Sequence, residues 1–180
     1  MSRIDPASPP YPQSVQARLD ELMPPGVPPI WLFRVLARDE RLFARSIGAG
    51  LLDRGHVPLR DREIVILRVC ANNRSQYEWG VHVAGFSAKA KLSEQQVRAT
   101  LSSELDAECW SARDRLLLRL CDALHAGTTV DSALWSELSA EFTPEALLEL
   151  LLLNGFYRTI SILTNTLEMP LEDFAARFST

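Results

Sequence analysis

Residues 59–86, LRDREIVILRVCANNRSQYEWGVHVAGF, decide the fold of this 180-residue chain. The stretch begins with a nearly continuous apolar segment of helical length, which is followed by a short polar break. A second helical segment then carries Glu78 and His82 one turn apart. We therefore predict two helices joined by a tight turn, packed face to face at the centre of the molecule.

The rest of the chain after Pro29 also has a helical pattern, without strand-like alternation. Ser93 begins a capping-box sequence, and Thr143 followed by Pro144 is typical of a helix start. Pro170 is expected to end the longest helix. We predict an all-α, single-domain helical bundle over residues 30–180, with helices at 30–38, 40–52, 60–73, 76–90, 93–102, 111–126, 131–140, 144–167 and 171–178.

Residues 1–29 form an N-terminal arm that differs in composition from the rest. Eight of the eleven prolines lie in it, so most of this segment is expected to be extended or turned. A short helix is predicted at about 14–23. The sequence leaves open whether the arm packs over its own domain, packs over a neighbouring subunit, or is a loose tail.

Composition excludes several classes of protein. The net charge is −4 and the basic residues are scattered, which argues against nucleic-acid binding. Three cysteines without a C-x-x-C pair predict neither a disulfide framework nor a zinc site, and they suit a reducing compartment. The N-terminus has no apolar signal segment, and the apolar run 146–153 is too short to span a membrane. A cytoplasmic protein without membrane association is expected.

The helix predicted at 144–167 is apolar on most sides, which predicts that it is buried. Gly155 lies in its middle, where glycine costs about 1 kcal/mol relative to alanine. A closely approaching helix would explain that cost. The polar residues Asn154, Tyr157, Arg158 and Asn165 belong either to a pocket or to a contact between subunits.

The chemistry of the chain is concentrated on the second helix of the central pair. Ser75, Glu78 and His82 fall within a stripe about 60° wide, and apolar residues flank it on both sides. A narrow Glu–His stripe of this kind favours the wall of a polar pocket over a solvated edge. Glu63 on the preceding helix has apolar neighbours at helical spacing, so a buried carboxylate there needs a partner. His82 is the predicted partner.

Structural interpretations of the same residues stay open. Ser75 and Glu78 have the spacing of a capping box, in which each side chain bonds the other's backbone. His82 is also compatible with a core position, and Glu63 with a favourable place near a helix N-terminus. The sequence has no nucleophile elbow, phosphate loop or H-E-x-x-H motif. No metal site and no cofactor are predicted.

Three motifs resemble the carboxymuconolactone decarboxylase family, which includes the alkyl hydroperoxidase D-like proteins. They are R-E-x-x-I-L-R-V, Y-E-W-x-x-H and L-S-x-x-Q, and the similarity continues through LLELLLLNGFYRTISILTNTL. It covers about residues 30–170. The resemblance implies an all-α fold of the alkyl hydroperoxidase D-like type. It also implies a homo-oligomer, trimer or hexamer with a dimer possible, whose pocket near the histidine lies partly between subunits.

The peroxidase branch of that family carries E-x11-C-x-x-C-x-x-x-H. On this chain the glutamate is Glu63 and the histidine is His82, but the two cysteine positions hold Ser75 and Glu78. Peroxide reduction in that branch needs a thiolate nucleophile and a resolving thiol. Alkyl hydroperoxidase-like peroxidase activity is therefore not expected. Lys91, where the family often has glycine, is a second departure and is expected to affect a turn.

The decarboxylase branch implies a cofactor-independent lyase that acts by proton transfer on a small organic acid or lactone. His82 is the expected general acid/base, with Glu78 and Glu63 as its catalytic partners. Four further residues are expected to bind the substrate: Ser75, Tyr77 and Trp79 at the pocket, and Arg158 on a substrate carboxylate. The alternative is a non-catalytic, ligand-binding oligomer in which the same polar residues form a buried structural network.

Overall fold

The structure, a computed structural model, describes residues 2–102 and 108–178. That part of the chain contains helices and no strands, which confirms the predicted all-α fold. The helices are α1 (Gln13–Leu22), α2 (Trp31–Leu36), α3 (Glu40–Ala49), α4 (Leu59–Asn72), α5 (Gln76–Phe86), α6 (Glu94–Ala99), α7 (Ala112–Gly127), α8 (Ser132–Glu141) and α9 (Pro144–Thr166).

Helix α4 is the centre of the bundle, because α5, α7 and α9 all pack against it. Its residues 61–70 are buried on every side, and the four residues 64–67 have no exposed surface. A helix that is apolar all round is stable only when other helices surround it. Helix α4, the first part of the stretch 59–86, therefore forms the core against which the other helices pack.

The N-terminal arm packs against its own chain. Val15 and Leu19 of α1 form a small core with Phe43 of α3. Backbone bonds also hold the arm, since the amide of Ala7 donates to the carbonyl of Arg34 at 2.9 Å. After α1, Met23 and Ile30 pack in a cluster with residues of α5 and α9, including Tyr77 and Ile160.

Helix α9 has 23 residues and begins with Pro144 after the capping side chain of Thr143. By length and composition it could cross a membrane, although the core helix of a soluble protein passes the same test. A Cβ atom added at Gly155 would meet nothing within 4 Å, so the expected close approach of another helix does not occur within the described part of this chain. Gly155 lies instead on an exposed face.

Several predicted helix bounds were wrong: the helices predicted at 40–52 and 93–102 end at Ala49 and Ala99, and two other predictions differ by more. Residues 171–178 form turns and extended chain instead of a helix, and they pack across α5, where the amide of Ala176 donates to the carbonyl of Gly80 at 3.1 Å. Helix α5 ends at Phe86 and not at 90, because a series of turns follows. Lys91 lies in one of these turns with φ of 55°, a left-handed conformation that favours glycine.

Candidate acid–base site

Helices α4 and α5 bring the predicted Glu63–His82 pair together in the core. The Nδ1 atom of His82 lies 2.8 Å from Oε2 of Glu63, and both side chains are almost completely buried. On the other side of the ring, Nε2 of His82 lies 3.4 Å from Oε1 of Glu78, one helical turn earlier. The imidazole therefore lies between two carboxylates.

One oxygen of each of these two carboxylates has no hydrogen bond in the described part of the chain. Among the residues that the structure describes, Oε1 of Glu63 and Oε2 of Glu78 are buried and accept no hydrogen bond. Nε of Arg62 lies 3.6 Å from the Glu63 oxygen, too far for a good bond. Unsatisfied buried carboxylate oxygens are costly, and in native proteins they often mark sites with a chemical role.

The charges around His82 set its protonation state. Burial by itself lowers the pKa of His82, but the charge and hydrogen bond of Glu63, followed by those of Glu78, outweigh it. The net effect raises this pKa from 6.5 to about 9. At neutral pH the ring is therefore an imidazolium that holds a proton close to Glu78.

Two aromatic rings fix the orientation of His82. Phe86 stacks on the imidazole with centroids 5.1 Å apart, and Tyr157 of α9 meets its edge at the same separation. Burial raises the pKa of Tyr157 well above its ordinary value, and the nearby Glu78 and Glu63 add to the effect. Tyr157 is therefore a neutral hydroxyl at neutral pH.

A cavity of about 690 Å³ opens directly at this site. Glu78 and His82, two of the three residues of the predicted stripe, form part of its wall together with Gly85 and Tyr157. Glu63 lies behind His82 and does not line the cavity. The remaining wall comes from α1, α2, α3 and α9 and is mostly apolar, including Leu22, Ile30, Phe33, Ile47, Phe156 and Ile160.

The structure places Ser75 and Tyr77 away from this cavity. The hydroxyl of Ser75 pairs with that of Thr164 at 2.9 Å, and it makes no capping bond, so the Ser75–Glu78 capping box does not form. The hydroxyl of Tyr77 donates to Glu172 at 2.6 Å and accepts from the amide of Leu32. Both side chains connect α5 to neighbouring segments, so their expected contact with substrate has no geometric support.

Trp79 and Arg158 also lie outside the cavity wall. The indole of Trp79 donates to the hydroxyl of Thr100 at 3.0 Å and packs against Phe178. Arg158 points towards α7, where it donates to the carbonyl of Leu124 at 3.5 Å. Arg158 is not among the residues that line the cavity, so its expected contact with a substrate carboxylate has no geometric support.

Most residues of the cavity wall were not predicted from the sequence. The apolar residues of α1, α2 and α3 have no local signal that separates a cavity wall from an ordinary core. Tyr157 was recognised only as a polar residue on a buried helix, and Lys89 not at all. Lys89 follows the Glu78–His82–Gly85 stripe by one further turn, and extending the same helical arithmetic would have found it.

The cysteines are not placed for redox chemistry. Cys70 and Cys121 are completely buried, and burial is the main cause that raises the pKa of each thiol above its ordinary value of 9.0. Thiols of this kind are protonated and unreactive. Across the described residues, no group of three or more His, Cys, Asp or Glu side chains is arranged to hold a metal ion.

The sequence and fold have recognisable relatives. Residues 41–120 match the Carboxymuconolactone decarboxylase family, a shorter span than the 30–170 suggested by the motifs. No curated protein matches the chain significantly.

Two solved structures share the fold. An uncharacterized peroxidase-related protein from Silicibacter sp. TM1040 has a TM-score of 0.82 at 16% identity, covering 99% of this chain and 96% of that one. An alkylhydroperoxidase AhpD core, also an uncharacterized peroxidase-related protein, from Ralstonia eutropha JMP134 has a TM-score of 0.77 at 20% identity, with coverages of 96% and 93%. At these identities the likeness shows the fold.

Within the described residues, α5, α7 and α9 pack around a buried α4, and the Glu63–His82 pair lies between α4 and α5; this is an all-α fold of the alkyl hydroperoxidase D-like type. The match of residues 41–120 to the Carboxymuconolactone decarboxylase family supports the resemblance that the sequence motifs indicated.

Proposed function

We propose that the protein is a cofactor-independent enzyme that transfers protons to and from an organic acid or lactone. The observation that supports this proposal is the buried line Glu63–His82–Glu78, which ends on a cavity. Groups with strongly shifted pKa values in a cleft are candidates for acid–base catalysis. Here the shift has a specific cause, since two carboxylates hold a proton on an imidazole that burial alone would make neutral.

The three residues have different roles in this proposal. His82 touches the cavity and donates its Nε2 proton to a carbon or oxygen of the substrate. Glu78 also lines the cavity, and its carboxylate, 3.4 Å from Nε2 of His82, accepts a proton from the substrate or passes one back to His82. Glu63 contacts only His82, so it is a positioning residue that fixes the ring and stabilises the imidazolium.

Decarboxylation is one reaction that these groups would serve. The bond between the carboxylate carbon and its neighbour breaks, carbon dioxide leaves, and the electron pair moves into a conjugated carbonyl system. His82 then supplies the proton at carbon, and solvent restores it through Glu78. Isomerisation needs the same parts, with Glu78 removing one proton and His82 adding another.

The cysteine positions argue against thiol peroxidase chemistry, although both structural relatives are called peroxidase-related. Ser75 and Glu78 cannot be oxidised and recycled as a thiol pair, and Cys70 and Cys121 are buried and protonated. Nothing in the cavity wall replaces them, since no cysteine lines it.

Proton exchange at carbon tests the proposal directly. The protein is incubated in heavy water with a panel of lactones and keto acids, and deuterium incorporation is followed by mass spectrometry. We expect incorporation or turnover with the wild type, and its loss in His82→Gln and Glu78→Gln. Glu137→Gln, on the exposed face of α8, is the control and should retain full activity. Full activity in His82→Gln would overturn the proposal.

A further inference from the structure

The cavity beside His82 is apolar along most of its length and charged at two places. We propose that its ligand is an amphipathic monocarboxylate, with a neutral reactive group at His82 and its carboxylate at Lys89. This inference rests on the proposed function for which end of the ligand reacts, and of the reactions named there it selects isomerisation or proton exchange at carbon, because a sole carboxylate held at Lys89 lies away from His82. It names the chemical class of the substrate, which the fold and the family leave open.

The size and lining of the cavity indicate a large apolar body. Counting about 30 Å³ for each non-hydrogen atom, 690 Å³ has room for about 20 such atoms. Apolar side chains from five helices, among them Phe33, Ile47 and Ile160, cover the space between the two charged places. A small, highly charged acid would leave this surface in contact with water, whereas an aliphatic or aromatic body would cover it.

The inner end of the cavity disfavours a carboxylate. Glu63 is paired with both Arg62 and His82, whereas the carboxylate of Glu78, which lines the cavity, has only the 3.4 Å contact with His82. A ligand carboxylate at this end would lie against the like charge of Glu78. A carbonyl, hydroxyl or acidic C–H group pairs with these residues without that cost.

The outer end of the cavity has a cation available. Lys89 lies seven residues after His82 in the turns that follow α5, it lines the cavity, and it is exposed. Its Nζ rests over the ring of Phe86 at 5.4 Å, and within residues 2–102 and 108–178 it has no carboxylate partner. The other charged residues of the wall are Arg18, which is paired with Glu21, and Asp53.

Gly85 lies between the two ends and allows the ligand to pass. A Cβ atom added there would meet nothing within 4 Å, and its backbone conformation accepts a side chain. A leucine at this position would therefore project into the cavity between His82 and Lys89 without disturbing the fold. Ala84, the preceding residue of α5, is exposed and outside the wall, and it provides a matched control.

Calorimetric titration with octanoate, decanoate and dodecanoate tests the inference on the whole protein. Affinity should rise about fourfold for each added methylene, the equivalent of about 0.8 kcal/mol. Lys89→Met should weaken dodecanoate binding about fivefold, because it removes a partly exposed ion pair with the ligand carboxylate. The affinity for dodecanol, which has no carboxylate, should not change. Gly85→Leu should abolish binding of both probes, whereas Ala84→Leu should bind like the wild type.

Three results would overturn the inference. They are an affinity that does not depend on chain length, equal loss of acid and alcohol binding in Lys89→Met, and tighter binding of the small dicarboxylate muconate than of dodecanoate. His82→Gln separates this inference from the proposed function. Dodecanoate should still bind to this variant, so binding without any proton exchange in the wild type would support the ligand class and overturn only the catalytic proposal.

Discussion

His82 and Glu63 lie 19 residues apart in the sequence, yet their side chains form a 2.8 Å contact inside the core. Both belong to helices that the α4–α5 turn folds back on each other. The contact changes the pKa of His82 more than any other favourable interaction, because it supplies both a charge and a hydrogen bond. It therefore connects the stability of the fold to pH.

Glu63→Gln should destabilise the protein in a pH-dependent way. The folded pKa of His82 is about 9, above its ordinary 6.5, so protonation favours the folded state. The stabilisation is fully present below pH 6.5 and is lost as the pH rises through 9. It amounts to about 3 kcal/mol at most. Urea unfolding at pH 6 and pH 9.5 measures this stabilisation. The difference in the free energy of unfolding between the wild type and Glu63→Gln should be much smaller at pH 9.5 than at pH 6.

The matched control for that comparison is Glu137→Gln. Glu137 pairs with Arg119 on the exposed surface of α8 and contacts no histidine. Its substitution should leave the pH dependence of unfolding unchanged between pH 6 and 9.5. An equal stability difference at both pH values for Glu63→Gln would contradict the assignment of the raised pKa to this pair.

Asp122→Ala should be strongly destabilising, because it leaves a buried charge without its partner. Arg68 of α4 is buried and donates to Asp122 of α7 at 2.7 and 2.8 Å, and its remaining donors reach the carbonyls of Thr100 and Ser102. Breaking a fully buried pair costs about 3–5 kcal/mol, and because the Asp122 side chain is 30% exposed the loss here should be smaller. Thermal and urea unfolding measure the loss.

A double variant separates the net contribution of this ion pair to stability from the destabilisation caused by leaving one of its charges unpaired. Replacing both residues, as Arg68→Met with Asp122→Leu, removes the buried charges together. We expect it to be more stable than Asp122→Ala, since no unpaired charge remains in the core. A double variant that is less stable than the single one would show that the carbonyl contacts of Arg68 dominate.

The site was predictable where helical spacing alone determines position. Glu78 and His82 were placed on one face of a helix by the 3.6-residue period, and the structure has both on the cavity wall. The Glu63–His82 contact followed from the cost of a lone buried carboxylate. Both arguments are local, which is why a single sequence was enough for them.

Contacts between distant segments were not predictable in this way. Ser75 had the spacing of a cap, but the competing hydroxyl of Thr164 on α9 takes its side chain. Tyr77 was expected at a pocket and instead pairs with Glu172, far along the chain. The predicted helix 171–178 gave way to an extended segment, because its backbone pairs with that of α5. In each case a tertiary partner overrode a local preference.

Gly80→Ala should displace the C-terminal segment from α5. A Cβ atom at Gly80 would lie 2.2 Å from the carbonyl oxygen of Ala176, a contact that forces the backbone to move. Overpacking of this kind costs about 1–3 kcal/mol. Phe178 of this segment packs on Trp79. The variant should therefore shift tryptophan fluorescence towards longer wavelength and expose the C-terminus to protease.

Gly155→Ala is the control for this substitution. Both glycines lie inside helices, but an added Cβ at Gly155 meets nothing within 4 Å. Alanine there should raise the free energy of unfolding by about 0.5–1 kcal/mol through helix propensity. Equal stability in the two variants would contradict the close approach of Ala176 to Gly80.

Leu152→Glu should dissociate an oligomer. The exposed side of α9 presents an uncharged stripe at helical spacing in which Leu148, Leu152 and Ile162 are about 60% exposed, with Gly155 between them. Three large apolar side chains on one open helix face are typical of a contact surface. Wild-type protein should therefore sediment as an oligomer, and a buried glutamate at this contact should shift it to monomer. Glu145→Gln, at the solvated start of α9, should sediment like the wild type, and a wild-type monomer at micromolar concentration would contradict the prediction.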